Sequence, residues 1–362
     1  MTLEHATIDA WADDLRGPVA LHFRETLVPV EGKDAVIFPP TYAMGDRRDG
    51  APYAIDKLSN DKKVVQIDSV GSQANRMEPL FRRVPAESTN NPLANLVPQV
   101  DIEVSPDSTV SLFEVGHRLG DALVRSSSLK EAAEQAFADF QYRGDATAIA
   151  KLAPTSLVFG AWDSRGEQAK FPRIVQSVIR AWDVDALRRS AQYNPAVDYA
   201  KLDVFSDEEK ERAEGNTKSP LAQQGFVHVP AVDSHGGVVV YGDVRRDVTV
   251  NFVALRQLGA KDGGVSLRRY ILGLALVAAI EPQDGYLRQG CLLTPDPEAS
   301  REWTLVDRTG VRSKIALQPS VALEYARSAA QKFGVGEDRR VNFARDRAKA
   351  SVAKKDEKKK KA

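Results

Sequence analysis

The sequence predicts an α+β fold, a β-sheet with helices packed on one face, and three observations carry that prediction. Stretches that alternate apolar and polar side chains are interleaved with stretches of helical period. Two of the strand-like stretches, Val238 to Tyr241 and Val248 to Val253, adjoin across Gly242 to Asp247, which reads as a hairpin and hence as antiparallel pairing. The run Leu267 to Ile280 is apolar nearly all round, as a helix inside a substantial core must be. With 362 residues and 43% hydrophobic content the chain is long and apolar enough for such a core. A ferredoxin-like or RRM-like core with large insertions fits the order of elements best, but that fold hosts many functions.

In chain order, Val19, Leu21 and Phe23 alternate with Ala20, His22 and Arg24, the pattern of a half-buried strand. Val36 to Phe38 and Val64 to Ile67 read as further strands. Ser69 to Phe81 reads as a helix, with Val70, Ala74, Met77 and Phe81 roughly on one face. Arg82 to Ser111 carries Pro85, Pro92, Pro98 and Pro106 and is expected to be a long loop. Phe113 to Tyr142 is expected to be mostly helical, Leu157 to Trp162 a strand, and Pro172 to Arg189 a helix. Ser206 to Ser219 is charged and loop-like, and Leu323 to Phe333 is a last helix. No internal repeat of fixed period is present.

Charge is distributed unevenly along a chain whose formal net charge is zero. Arg339 to Ala362 holds eleven Lys and Arg against three Asp and Glu, so the body before it carries a net charge of −8. Lys354 to Ala362 lacks apolar periodicity and is expected to be disordered. Such a tail can bind a polyanion by counterion release, or it can serve only as a solubilising terminus. An acidic body means that any RNA-binding cations must be gathered into a groove. The first twenty residues have no apolar core of a signal peptide, and Tyr270 to Ile280 falls short of a membrane span. The single cysteine, Cys291, excludes an internal disulfide and fits a reducing cytoplasm; beside Leu292 and Leu293 it reads as a buried, inert thiol.

Enzymatic chemistry is thinly represented. The five histidines are scattered, and none has a partner at zinc-ligand spacing. The stretch Gly160 to Lys170 has five residues between its glycines and lacks Gly-Lys-Ser/Thr, so it is not a phosphate loop. No Gly-x-Ser-x-Gly elbow is present. Neither a cofactor nor a metal is expected. Asp68 and Asp163 follow predicted strands, where a lone aspartate more often caps a turn than acts in catalysis.

Four stretches are instead rich in groups that suit a phosphate backbone. Ser72, Gln73, Asn75 and Arg76 lie on or beside the face opposite Ala74 and Met77 of the first predicted helix, and Gly71 permits a tight entry. In the predicted helix from Pro172, Ile174, Val178 and Trp182 form an apolar stripe, while Arg173, Ser177 and Arg180 share another face. Arg165 and Lys170 feed that helix's N-terminus, a favoured place for anions. Arg245 and Arg246 stand near the predicted hairpin turn, with Thr249 and Asn251 opposite Val248 and Val250. Arg268 and Arg269 open the buried helix. Each stretch taken alone also reads as an ordinary solvated face.

Taken together, the strings Ile67-Asp-Ser-Val-Gly-Ser-Gln-Ala-Asn-Arg-Met-Glu78, Thr155-Ser-Leu-Val-Phe-Gly-Ala-Trp-Asp-Ser-Arg-Gly166 and Lys170-Phe-Pro-Arg-Ile-Val175 resemble a known family. So do Gly236-Gly-Val238 with the strands after it, and Arg268 to Leu276 through Gly290-Cys-Leu-Leu293. The chain resembles the RAMP-type backbone subunit of type I CRISPR surveillance (Cascade) complexes, in the variety called I-U or I-G. The resemblance spans roughly Leu15 to Leu293.

The resemblance implies a modified RRM palm with finger and thumb insertions. Residues 1–338 would form that body, with insertions at about 31–63, 82–111 and 206–235, and residues 339–362 a largely disordered basic tail. Gly236 to Phe252 and Thr41 to Asp61 are both candidate thumbs. It implies a cytoplasmic, non-catalytic subunit whose copies stack head to tail along a CRISPR guide RNA, beside other Cascade subunits and, through the guide, a target DNA strand. Phosphate and 2′-OH contacts would then matter more than base contacts, and the aromatic motifs by which an ordinary RRM stacks bases are missing here. A rival expectation, from related type III subunits, is a ribonuclease acting through Asp163.

Overall fold

The computed structural model describes residues 3–42, 53–83 and 91–352. Helix α1 (His5–Asp13) is followed by the long strand β1 (Ala20–Pro29), then β2 (Ile55–Lys57) and β3 (Lys63–Asp68). Helix α2 (Val70–Met77) starts where the Ser69 side chain accepts a hydrogen bond from the Ser72 N–H, satisfying a first-turn donor. A hairpin of β4 (Val100–Ser105) and β5 (Ser108–Ser111) comes next. Four helices follow: α3 (Ala122–Arg125), α4 (Lys130–Arg143), α5 (Thr147–Leu152) and α6 (Thr155–Phe159). Strands β6 (Val175–Trp182) and β7 (Val184–Tyr193) lead to short helices α7 (Asp207–Ala213) and α8 (Pro220–Gln223). The chain returns through β8 (Val229–Val240) and β9 (Val244–Asn251) to α9 (Phe252–Arg256) and α10 (Val265–Ile280). It then forms β10 (Tyr286–Arg288), β11 (Cys291–Pro295), β12 (Glu302–Val306), β13 (Arg312–Ile315), α11 (Pro319–Phe333) and β14 (Arg339–Asn342).

The main sheet has the order β10-β11-β1-β9-β6-β3-β2, and all its pairs are antiparallel. One edge of β1 is shared, with β12 along Ala20 to Arg24 and β11 along Leu27 to Pro29. The central order β12, β1, β9, β6, with helices between β1 and β6 and again between β9 and β12, is that of a ferredoxin-like palm. Alternation decides which face is covered. Leu21, Phe23 and Leu27 of β1 lie level with Val250, Val248 and Val244 of β9, and all six are buried. Against the same face pack α2 and α10. Helices α10 and α11 approach so closely that a Cβ at Gly273 would stand 2.8 Å from the Ala326 Cα. The predicted α+β class, with helices on one face, is the observed one.

Several elements differ from expectation. Thr155–Phe159 is helical, and the stretch expected as a helix from Pro172 is strands β6 and β7. A short apolar run does not distinguish a buried helix turn from a strand. Strand β6 is covered on both faces at Val178 and Ile179, so its apolar residues fit helical spacing as well as alternation. The two strands around Gly242 exist but do not pair with each other: β8 pairs with β7 in a two-stranded arm, and β9 enters the palm between β1 and β6. Residues 206–219 include the capped helix α7, in which Ser206 and Glu209 form a reciprocal capping box. The expected loop from Arg82 holds the β4–β5 hairpin, and β14 adds to it as a parallel strand. Thus part of the basic tail is structured, with residues 345–352 helical beyond β14; Lys354 to Ala362 and the centre of the Thr41 to Asp61 candidate thumb lie outside the described residues.

Candidate nucleic-acid interface

The end of β3 and the start of α2 organise the region. Asp68, buried where the strand ends, accepts from Gln73 Nε2 at 2.7 Å, Arg76 Nε at 3.0 Å and Arg288 Nη2 at 3.3 Å. Gln73 Oε1 accepts from Ser177 Oγ at 2.6 Å, and that hydroxyl accepts from Arg246 Nε at 3.3 Å. Arg246 Nη1 stands 3.6 Å from Glu25 Oε2, and Arg301 Nε donates to Glu25 Oε1 at 2.8 Å. A polar chain therefore crosses the covered face of the sheet from Arg288 to Arg301, each link compensating the burial of the next. Burial and the neighbouring Arg301 lower the Arg246 pKa, and Glu25 opposes that shift.

This network corrects three of the expected RNA contacts. Gln73 and Arg246 are buried, and Arg76 is committed to Asp68 and to the carbonyl oxygens of Tyr286 and Leu287. A string of polar residues in sequence looks the same whether it meets phosphate or the interior.

Of the other five expected contacts, Ser72, Asn75 and Arg173 are brought together, and Arg165 and Lys170 lie on the loop that follows α6. Arg173 lies just before β6, where its Nε donates to the Phe159 carbonyl at 3.0 Å. Its guanidinium reaches α2, coming within 3.9 Å of the point where a Gly71 Cβ would stand. Burial, and then the charge of Arg118, lower the Arg173 pKa, and no carboxylate among the described residues offsets them. Arg118 was not foreseen from sequence: it is buried with φ +52°, and no local pattern marks such a residue. It pairs with Glu78 at 2.7 Å and donates to the Gly160 carbonyl at 3.1 Å and to Asn75 Oδ1 at 3.3 Å. Ser72 and the exposed Asn75 stand beside this pair of arginines on α2.

The loop from Gly160 to Lys170 carries the other two. Trp162 and Lys170 form an isolated antiparallel bridge at its base, and Lys170 Nζ lies 5.9 Å from the Trp162 ring centroid. Trp162 is 54% exposed, and Arg165 and Lys170 are exposed as well. Asp163 is buried and accepts from the N–H groups of Gly166 at 3.1 Å and Glu167 at 2.7 Å. A Cβ at Gly166 would stand 2.3 Å from Asp163 Oδ2, which is why the turn needs glycine. The aspartate is a turn cap.

Arg180 and Arg245 are not part of that region. They face each other across β6 and β9 on the sheet face turned away from α2 and α10. Arg245 also bonds Asp243 at 3.1 Å and lies 5.1 Å from the Trp182 ring centroid. On the same face His22 and Arg24 hold the Asp247 carboxyl down at about 2. The face is thus polar, with part of its cationic charge already paired. The shared face that a helix from Pro172 would have given Arg173 and Arg180 does not exist, because the two residues lie near opposite ends of a strand.

Residues 21–186 match the family described as CRISPR-associated protein GSU0053 (Cas_GSU0053). The resemblance read from the sequence is borne out as CRISPR-associated. That segment contains α2, the Gly160 to Lys170 loop, Arg118 and Arg173, whereas the Gly236 and Arg268 strings lie outside it. A solved structure described as "CRISPR RNA-guided surveillance complex, pre-nicking" is similar at a TM-score of 0.34 and 14% identity, covering 87% of this chain and 84% of that one. No curated protein matches. Among the described residues no helix is long and apolar enough to cross a membrane, and no three His, Cys, Asp or Glu side chains are placed to hold a metal ion. Burial pushes the Cys291 thiol up to about 11, as for an inert interior cysteine.

Proposed function

We propose that this chain is a guide-RNA-binding backbone subunit of a Cascade-type complex of the I-U or I-G variety, working in the cytoplasm. One observation supports the reading most: Arg173 is held half-buried at the first turn of α2 beside a second guanidinium, with no carboxylate partner among the described residues. Arg118 has Glu78 as its partner, so the guanidinium that lacks a counter-charge is Arg173, and a phosphate at the first turn of α2 would supply one. Arg165 and Lys170 extend the positive surface along the adjoining loop, and Ser72 and Asn75 supply neutral hydrogen-bonding groups. Such a set reads a backbone and leaves sequence to base pairing between guide and target DNA.

Copies of the chain would stack head to tail along the guide, in contact with other Cascade subunits. The β7–β8 arm, which leaves the palm as a separate two-stranded sheet, is the element best suited to act as the thumb between copies. The subunit would be non-catalytic, with Asp163 serving the loop that carries Arg165. The test is purification from cells that express a CRISPR array. Co-purified RNA of one repeat-derived length supports the reading, and a preparation with the absorbance ratio of pure protein contradicts it.

A further inference from the structure

Trp162 leaves 54% of its surface in solvent, whereas Trp11 and Trp303 are buried. Its backbone is nonetheless held on both sides. The Asp163 N–H donates to the Ala169 carbonyl at 2.9 Å and the Phe171 N–H to the Ala161 carbonyl at 2.8 Å. Trp162 and Lys170 are therefore a facing pair in a short antiparallel ladder, of the kind whose side chains stand close together. On the other side, a Cβ at Gly120 would stand 3.0 Å from the Trp162 carbonyl oxygen. The residue is thus fixed while much of its indole stays open, so a planar group could stack there at little cost in ordering the protein.

The surroundings favour a group that carries a phosphate. Lys170 Nζ stands 5.9 Å from the ring centroid, and Lys170 and Arg165 are both exposed. Of the two carboxylates in the loop, Asp163 is buried in its turn and Glu167 accepts from the Tyr142 hydroxyl at 2.8 Å. Arg173 meets the same ladder from its other end. Its Cγ lies 2.8 Å from the point where a Gly160 Cβ would stand, and Gly160 is two residues of chain, at most about 7 Å, from Trp162. A phosphate at Arg173 and a base on Trp162 can therefore belong to the same or adjoining nucleotides.

We propose that Trp162 is the stacking platform for one base of the bound RNA, with Lys170 beside it and a neighbouring phosphate at Arg173. This rests on the guide-binding reading and adds a requirement to it: contacts to phosphate need no base, whereas the indole needs a planar ring to lie on it. Stacking is indifferent to which base is present, so it positions a nucleotide without reading sequence. The ring stands on the loop after α6, not on the sheet where an ordinary RRM carries its stacking aromatics. A protein surface could also cover an open indole; the flanking cations and the arginine at the far end of the ladder favour the nucleotide.

The test uses the full chain and two probes, a short single-stranded oligoadenylate and inorganic polyphosphate, which offers anions without bases. Oligoadenylate should quench the tryptophan fluorescence, because Trp162 is the most exposed of the four tryptophans, and polyphosphate should bind without quenching it. Trp162→Ala should weaken oligoadenylate binding at least about fivefold, the low end for loss of one stacked base, with polyphosphate affinity and melting temperature unchanged. Trp162→Phe, which keeps a ring, should restore most of that affinity. Oligoadenylate bound by Trp162→Ala as tightly as by the parent chain would overturn the proposal and leave the indole to a protein contact. Equal weakening toward both probes would also overturn it, since Trp162 would then shape the loop and hold no base. A parent chain that binds neither probe would contradict the guide-binding reading itself, and the stacking role with it.

Discussion

Arg118 Nε stands 2.7 Å from Glu78 Oε2, and both side chains are buried. Burial pushes the Glu78 carboxyl up to about 7, against the pull of Arg118. In the unfolded chain the same group ionises near the ordinary value, about 4.3. The folded state therefore binds this proton more tightly. The resulting stability is fully present below the unfolded value and is lost as the pH rises through about 7.

Urea unfolding between about pH 5 and pH 8 should show stability falling by about 1–3 kcal/mol from this group. Glu78→Gln, which cannot ionise, should flatten that part of the profile. An equal slope in both proteins would show that Glu78 keeps an ordinary pKa beside Arg118.

Asp163 provides a separate test, because it decides between a turn cap and a catalytic group. Replacing it by Ala removes two hydrogen bonds to backbone N–H groups. The variant should lose about 1–3 kcal/mol of stability with these two charge-assisted hydrogen bonds at a part-buried turn. Neither form should cut complementary RNA in the presence of Mg²⁺. Regularly spaced cuts that vanish in Asp163→Ala would assign the residue to catalysis.

What could be read from the sequence depended on whether a residue's neighbours along the chain were also its neighbours in space. Strand β1 and helices α2, α10 and α11 were legible because each has a local pattern that its burial follows. Strand β6 was not, because it is central and covered on both faces at Val178 and Ile179. The pairing of β9 with β1 was likewise hidden, since Val248 meets Phe23 across more than two hundred residues. In the candidate site, Arg165 and Lys170 lie on the loop that leads into Arg173, so their closeness along the chain was legible. Gln73 and Arg246 looked alike in sequence but serve a buried network joined through Ser177. Arg118 enters the site only through the fold.

Removal of Lys354 to Ala362 should weaken non-specific RNA binding and flatten its salt dependence, since that dependence scales with the phosphates neutralised. Guide-dependent assembly should survive, because β14 and the Arg173 region precede the cut. Filter binding across a salt series, with a sizing column on the same preparation, measures both effects. Loss of assembly would place the tail within the specific site.

If copies track the guide, a longer spacer should recruit more of them in proportion. Native mass spectrometry of complexes formed on several guide lengths gives the count. A constant number of copies across lengths would rule out a filament that follows the RNA.

Guide binding should depend most on Arg173 and on Arg165 of the adjoining loop. The double variant Arg165→Glu, Arg173→Glu should fold, because Arg165 is exposed and Arg173 makes one hydrogen bond to a carbonyl beside a repulsive neighbour, Arg118. Removing a charge-assisted hydrogen bond to phosphate costs about 1.5–3 kcal/mol, and the new carboxylates add repulsion. The deciding measurement is RNA retained per milligram of purified protein, taken beside a melting curve on the same sample. The melting temperature should be unchanged, with guide RNA absent from the preparation. Unchanged melting with RNA fully retained would place the guide elsewhere on the molecule and contradict that dependence.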